Sequence, residues 1–261
     1  GEAAIDQKHD TGWCCPVFVT MGRARPLLKE ATMAQDTTNS GGDENPEDGM
    51  PPIQVMVIAV TPFQQNCSLI WDPSSMRGTV VDPGGDVDKI LAAVNKQGVN
   101  VEKIVLTHGH IDHVGGAADL AEALKVPVEG PHEADQMLID RVADQAVQFG
   151  VEGVKPVMPD RWMVEGDQVE IAGRMFDVLH CPGHSPGHLV FFDKELRFAI
   201  SGDVLFAGSI GRTDLPGGDH ATLIKSIREK LLPLGDDVAF LPGHGQASTI
   251  GHERETNPFL T

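Results

Sequence analysis

Tyrosine is absent from the 261 residues, and aromatic side chains make up only 5% of them. Whatever this chain binds, no phenol hydroxyl takes part. Cysteine is scarce: Cys14 and Cys15 are adjacent, Cys67 and Cys181 stand alone, and no pair has the C-x-x-C spacing of a redox or zinc motif. A reduced, cytoplasmic setting is therefore expected. Long apolar runs are missing too. The stretch 13–21 is too short to cross a bilayer, and nothing else approaches the roughly twenty residues a span needs, so a soluble protein with no membrane partner is expected. Positive charge is also in short supply, with 20 Lys and Arg against 38 Asp and Glu and a net charge of −18. RNA or DNA would be repelled, which argues against a nucleic-acid partner.

Basic residues vanish entirely from 33–50, the stretch that holds Asp36, Asp43, Glu44, Glu47 and Asp48. Residues 1–50 show no sustained apolar period and cannot bury enough apolar surface to offset the entropy of ordering. A disordered N-terminal extension over 1–50 is expected, followed by one domain over 51–261, for which an apolar content of 41% suffices. An organelle-targeting segment would be rich in arginine and poor in acids. Nine acidic residues against four basic ones in 1–50 argue against that reading without removing it.

From residue 53 the pattern becomes orderly. Strands are expected over Ile53–Val60, 66–71 and 79–81, separated by Thr61-Pro62, Asp72-Pro73 and Asp82-Pro83-Gly84-Gly85. Asp86 is then expected to cap a helix whose apolar positions Val87, Ile90, Leu91 and Val94 follow a 3.6 period and stop before Gly98. A strand over 101–106, a helix after Gly115-Gly116 with Leu120, Ala121 and Leu124 on one face, and a helix over about 132–149 follow. The second half repeats the scheme, with strands near Gln168–Ile171, 175–179, 188–192 and 198–200, a helix over 221–232 and a strand over 238–241. Strand groups flanked by helices in both halves predict an α/β fold of two packed sheets with helices outside, a four-layer α/β/β/α sandwich. The site is then expected on loops at one edge where the halves meet.

The strand over 101–106 delivers His108-Gly109-His110-Ile111-Asp112-His113. Three imidazoles and a carboxylate on one loop tip are hard to explain as packing, because each ring leaves polar nitrogens in need of partners. They read as metal ligands. Cys181-Pro182-Gly183-His184, Ser201-Gly202-Asp203 and Pro242-Gly243-His244-Gly245 each form a Gly or Pro turn just past a strand-like run and add further donors. Nitrogen and carboxylate donors without thiolate suit zinc first, with iron or manganese as alternatives.

The chain order His108, His110, Asp112, His113, His184, Asp203 and His244 resembles the metallo-β-lactamase superfamily, and the match extends over roughly 53–261. Phe63-Gln64-Gln65-Asn66-Cys67-Ser68, Val81-Asp82-Pro83-Gly84-Gly85, His180-Cys181-Pro182-Gly183-His184-Ser185-Pro186-Gly187-His188 and Gly211-Arg212-Thr213-Asp214 bring it close to the short glyoxalase-II-like hydrolases, which lack the C-terminal helical domain of the full-length thioesterase. The resemblance implies that His108, His110 and His184 hold one metal, that Asp112, His113 and His244 hold the other, and that Asp203 bridges them. It further implies two divalent cations and a bridging hydroxide that attacks a small thioester such as S-lactoylglutathione or another S-acyl-glutathione. Asp112 both ligates a cation and orients that hydroxide.

Arg212 stands where the longer enzymes carry a glutathione-binding lysine, so it either holds a substrate carboxylate or pairs with Asp214 to stiffen its loop. His188 either supports a ligand from behind or finishes a turn. The glutathione-contacting tyrosines of the family have no counterpart here. Related chemistries on the same fold are a persulfide dioxygenase that uses one iron, and a lactonase, although lactonases of this superfamily use a substrate-facing tyrosine.

Three other signals are set aside. Gly183-His184-Ser185-Pro186-Gly187 matches the G-x-S-x-G elbow of serine hydrolases, but a strand, not a helix, is expected after it. Cys181 reads as a buried, inert thiol. His132, His180, His220 and His252 read as ordinary residues.

Overall fold

The computed structural model describes residues 17–21, 27–29, 53–151 and 153–261. In chain order, β1 (Val17–Met21), β2 (Leu27–Lys29), β3 (Ile53–Val60), β4 (Gln65–Trp71) and β5 (Arg77–Val81) lead to α1 (Val87–Gln97) and β6 (Asn100–Val105). Next come α2 (Ile111–Val114), α3 (Ala117–Leu124), β7 (Val128–Glu129), α4 (Gln136–Ile139) and α5 (Val142–Phe149). The second half runs β8 (Gln168–Ile171), β9 (Arg174–His180), β10 (Leu189–Asp193), β11 (Phe198–Gly202), β12 (Leu205–Phe206) and β13 (Ser209–Ile210). It ends with α6 (His220–Ser226), β14 (Ala239–Pro242), β15 (Ser248–Thr249) and α7 (Ile250–Thr256).

Two sheets result, in the orders β2-β1-β3-β4-β5-β6-β7 and β15-β14-β11-β10-β9-β8, with β12 and β13 as a separate ribbon. The first sheet is antiparallel up to β5 and parallel from β5 through β7. The change of direction follows from α1, then α2 and α3, crossing between consecutive strands, because a parallel pair needs a long connection.

Strand alternation explains why there are four layers. In β3, Ile53 and Val55 face one apolar cluster while Met56, Ile58 and Val60 face another. In β10, Leu189 and Phe191 meet Ile53 and Val55 between the sheets, whereas Val190 and Phe192 point to the outer helices with Leu223, Ile227 and Leu231. Strands buried on both faces read as continuous apolar runs, as Leu189-Val190-Phe191-Phe192 does. The first sheet packs its other face on α1 and α3 through Ile90, Val94 and Leu120. The chain therefore adopts the expected α/β/β/α sandwich.

Asp86 makes no side-chain cap bond at the start of α1; its Oδ2 accepts instead from Thr61 N at 2.9 Å. Other departures concern the later helices and the N-terminal strands. The helix expected over 132–149 is broken into a 3₁₀ turn (Glu133–Asp135), α4 and α5. Gln145 Nε2 donates to Leu138 O at 2.8 Å, and a side chain that occupies a helical carbonyl interrupts the helical ladder. The helix expected over 221–232 is α-helical only to Ser226, then π-helical over Ile227–Leu231. Within 1–50, where disorder is expected, β1 and β2 are strands: β1 pairs antiparallel with β3 and β2 with β1. β1 satisfies the backbone groups that β3 would otherwise leave open at a sheet edge. The rest of 1–50 lies outside the described residues. No helix among the described residues is long and apolar enough to cross a membrane.

Phe191 is fully buried between the sheets, opposite Val178 and Ile200. Phe191→Ala is expected to lower the unfolding free energy by about 3–5 kcal/mol in urea denaturation, while Val147→Ala, at a position 84% exposed, should change it by less than about 0.5 kcal/mol. Equal effects would contradict the assigned core.

Candidate metal centre

The chain turns sharply at the carboxyl ends of β5, β6, β9, β11 and β14, and these turns lie along one edge of the sandwich. His108, His110, Asp112 and His113 follow β6, with Asp112 and His113 in the first turn of α2. His184 follows β9, Asp203 follows β11 and His244 follows β14. Glycine permits this crowding. A Cβ on Gly243 would stand 2.1 Å from Asp203 Oδ1 and 2.6 Å from His113 Cε1, and one on Gly84 would stand 1.5 Å from Asp112 O.

The seven predicted donors all converge. His184 Nε2 is 2.9 Å from His110 Nδ1 and 3.2 Å from His108 Nε2. His244 Nε2 is 3.1 Å from Asp112 Oδ2, which is 3.9 Å from His113 Nε2. Asp203 lies between the two groups: its Oδ2 is 3.6 Å from both His184 Nε2 and His244 Nε2, and its Oδ1 is 3.4 Å from His113 Nε2. Each trio, His108 with His110 and His184, and Asp112 with His113 and His244, has its donor atoms close enough to hold one ion.

The surrounding hydrogen bonds show which nitrogen three of the five rings offer. His184 Nδ1 lies 2.8 Å from Arg212 O; a carbonyl only accepts, so Nδ1 carries the proton and Nε2 presents its lone pair. His113 Nδ1 donates likewise to Asp82 Oδ2 at 2.9 Å. Thr107 Oγ1 gives its proton to Asp82 Oδ2 at 2.6 Å and so can accept from His108 Nδ1 at 3.0 Å. Lone pairs from neighbouring rings thus point at each other. His113 Nε2 and Asp203 Oδ1 are buried without a hydrogen-bond partner, an arrangement that a cation between them would relieve. The donor set fits a dinuclear divalent metal site.

Burial, reinforced by neighbouring rings, keeps the His108 and His110 imidazoles neutral, the latter pushed down to about 3. Burial opposes charge on His113 as well, but the Asp203, Asp112 and Asp82 carboxylates outweigh it and raise that ring. Asp203 goes the other way: despite burial, the facing His113, His184 and His244 rings hold its carboxyl below the usual range. Centre and surroundings are thus matched as carboxylates against imidazoles.

Several supporting residues are not themselves predicted donors. Asp82 accepts from Thr107 N at 2.8 Å as well as from Thr107 Oγ1 and His113, so one carboxylate orients two rings. Asp135 accepts from Gly109 N (2.8 Å), Ser185 Oγ (2.7 Å) and Gly187 N (2.5 Å), locking the first histidine loop to the His184 loop. Asn66 Nδ2 donates to Pro242 O and Gly245 O, which secures the His244 turn. The signal for Asp82 was its place, just past a strand and before Pro-Gly-Gly.

His188 lies behind the centre. Its Nε2 accepts from Asp203 N at 2.9 Å and its ring stacks on His108. Arg212 forms a two-pronged ion pair with Asp214 at 2.8 and 2.7 Å, the loop-stiffening alternative, and its carbonyl orients His184. Ser185 is buried, bonded to Asp135 and followed by a strand, so it is not an elbow nucleophile. Cys181 is buried and its thiol is pushed up to about 12 by desolvation. His110, Asp112, His184, Asp203 and His244 open onto a cavity of about 590 Å³.

These features agree with the relatives the chain matches. Residues 60–244 match the metallo-β-lactamase superfamily, and the chain belongs to that superfamily. It is 46% identical to the Haemophilus influenzae hydroxyacylglutathione hydrolase GloC over 209 residues, covering 80% of this chain and 98% of that protein. It is 37% identical to the probable metallo-hydrolase YqgX of Bacillus subtilis, covering 77% and 94% of the two chains. Among solved structures, it resembles TTHA1623 in a di-iron-bound form (40% identity, TM-score 0.70, 78% and 99% covered) and the BLEG-1 B3 metallo-β-lactamase (33%, 0.74, 80% and 99%).

Asp82→Ala removes the group that orients His108 and His113 without removing a predicted donor. It is expected to weaken zinc binding by about 10–100-fold, read by competition with a chromogenic chelator. Wild-type affinity in a folded variant would contradict the role assigned to Asp82.

Proposed function

We propose that this metallo-hydrolase cleaves a small thioester, S-lactoylglutathione or another S-acyl-glutathione. In this reading His108, His110 and His184 hold one divalent cation, Asp112, His113 and His244 hold a second, and Asp203 is shared. The observation that carries it is the convergence of all seven donors on one edge of the sandwich, with His108 Nε2 and His184 Nε2 facing each other. The 46% identity to a hydroxyacylglutathione hydrolase along nearly its whole length supports the thioester. Zinc is the first choice of cation; the di-iron form of a 40% identical protein supports iron as the alternative.

Divalent cations at such a centre supply Lewis acidity and acidify water toward a pKa near 7. The protein's own contribution is positional. Neutral His108 and His110, with His184 oriented by the Arg212 carbonyl, are held in place by their surroundings, so the centre needs little reorganisation on binding or reaction. Asp112 faces the cleft with its carboxyl kept below the ordinary range, where burial is outweighed by the His113 and His244 rings. As an ionised carboxylate it can orient the attacking water. The leaving thiol, with a pKa near 8.5, departs as thiolate without needing a dedicated acid. A complete second donor group supports a two-cation hydrolase over single-iron persulfide oxidation. The absence of tyrosine counts against a lactonase. Two buried free thiols, Cys67 and Cys181, suit a reducing, cytoplasmic setting.

Metal-quantified protein is expected to hold two cations per chain and to turn over S-lactoylglutathione. Asp112→Ala should lose about 100-fold or more in turnover with its melting temperature held. The reading fails if glutathione persulfide, a homoserine lactone or a β-lactam is consumed while the thioester stays at background, or if Asp112→Ala hydrolyses it at the wild-type rate.

A further inference from the structure

Helix α5 presents two faces with different tasks. Val142 and Ala146 are buried in the core. Arg141, Asp144, Gln145, Gln148 and Phe149 line the cleft, a spacing that places them on one side of a helix. Gln145 docks this face onto the metal loops, accepting from Ile111 N at 3.2 Å and donating to Leu138 O.

The ends of the face differ in chemistry. At the carboxyl end, Phe149 meets Phe63 from the β3–β4 turn edge to face, with ring centroids 5.5 Å apart. Both rings are partly open to solvent, at 41% and 37%, and Met137, also on the cleft wall, is 46% exposed. Large apolar side chains gathered open around one concavity mark a place for apolar ligand surface. At the amino end stands Arg141, about 12 Å away at 1.5 Å per residue. The cleft has two arginines, and they are not equivalent. The Arg212 guanidinium is occupied by Asp214, whereas Arg141 makes no ion pair among the described residues, including with Asp144 one turn on.

We infer that this face of α5 selects the substrate, and that the substrate is amphipathic: an apolar acyl group rests on Phe149, Phe63 and Met137, and a carboxylate of the thiol portion rests on Arg141. The inference builds on the thioester reading and narrows it. A lactoyl group, short and hydroxylated, makes little use of the aromatic wall, so acyl groups that are longer and apolar are the better substrates. Arg141 is a binding residue here and takes no part in bond cleavage.

Non-hydrolysable thioethers test this without turnover. Titration calorimetry on metal-loaded protein would compare glutathione, S-hexylglutathione and the diester of S-hexylglutathione. In the wild type, adding the hexyl chain should tighten binding by about tenfold and esterification should weaken it by about tenfold. Phe149→Ser should erase the first difference and Arg141→Gln the second, each leaving the other in place, while Arg212→Gln keeps both. Identical ratios in all four proteins, or no binding of any probe to the wild type, would overturn the inference. Parallel thioester assays separate it from the reaction itself. Turnover of S-lactoylglutathione without any dependence on chain or charge contradicts only the α5 assignment, and the full binding pattern without thioester turnover contradicts only the proposed reaction.

Discussion

Five imidazoles and two carboxylates, all but Asp112 and His244 buried, are crowded with their donor atoms close to one another, and this is the constraint on which the rest of the structure depends. Nitrogen and oxygen atoms 2.9–3.9 Å apart with inward lone pairs repel unless protons or cations lie between them. A buried polar atom left without a partner costs about 1–3 kcal/mol, and His113 Nε2 and Asp203 Oδ1 are both in that position. Such an arrangement is held only by surroundings that fix the donors. Asp82, through Thr107 and His113, fixes two of them, the Arg212 carbonyl fixes His184, and His188 braces the Asp203 backbone.

The sandwich makes that fixation possible. Two apolar sheets packed face to face set the strand ends rigidly, and the donors follow those ends directly or, for Asp112 and His113, in the short helix after β6. Glycine at 84 and 243 lets backbones approach more closely than a side chain would allow. Asp135 then joins the loop after β6 to the loop after β9, linking the two halves of the chain through a single buried carboxylate. Burial raises the pKa of that group despite its three donors.

The layered fold was legible because its strands are short, apolar on alternate or both faces, and punctuated by Pro and Gly. That these seven side chains would gather at one edge was legible because histidines and aspartates clustered on tight turns past strand ends rarely serve packing alone. What escaped had weaker local signals. Asp82 and Asp135 look like a turn residue and a helix residue until three-dimensional contacts appear. The break near Asp140 depends on where Gln145 reaches, which periodicity does not encode. β1, β2, β12 and β13 hold two to five residues each, too few to establish a period. The cleft-lining face of α5 mixes Arg141, Asp144 and Gln148 with Phe149, and in sequence such a mixture reads as an ordinary solvated surface.

Anomalous diffraction from crystals of the zinc-loaded protein would test the central claim most directly. Two peaks are predicted, one among His108, His110 and His184 and one among Asp112, His113 and His244, with the Asp203 carboxylate between them. Peaks elsewhere on the molecule, or none at this edge of the sandwich, would contradict it.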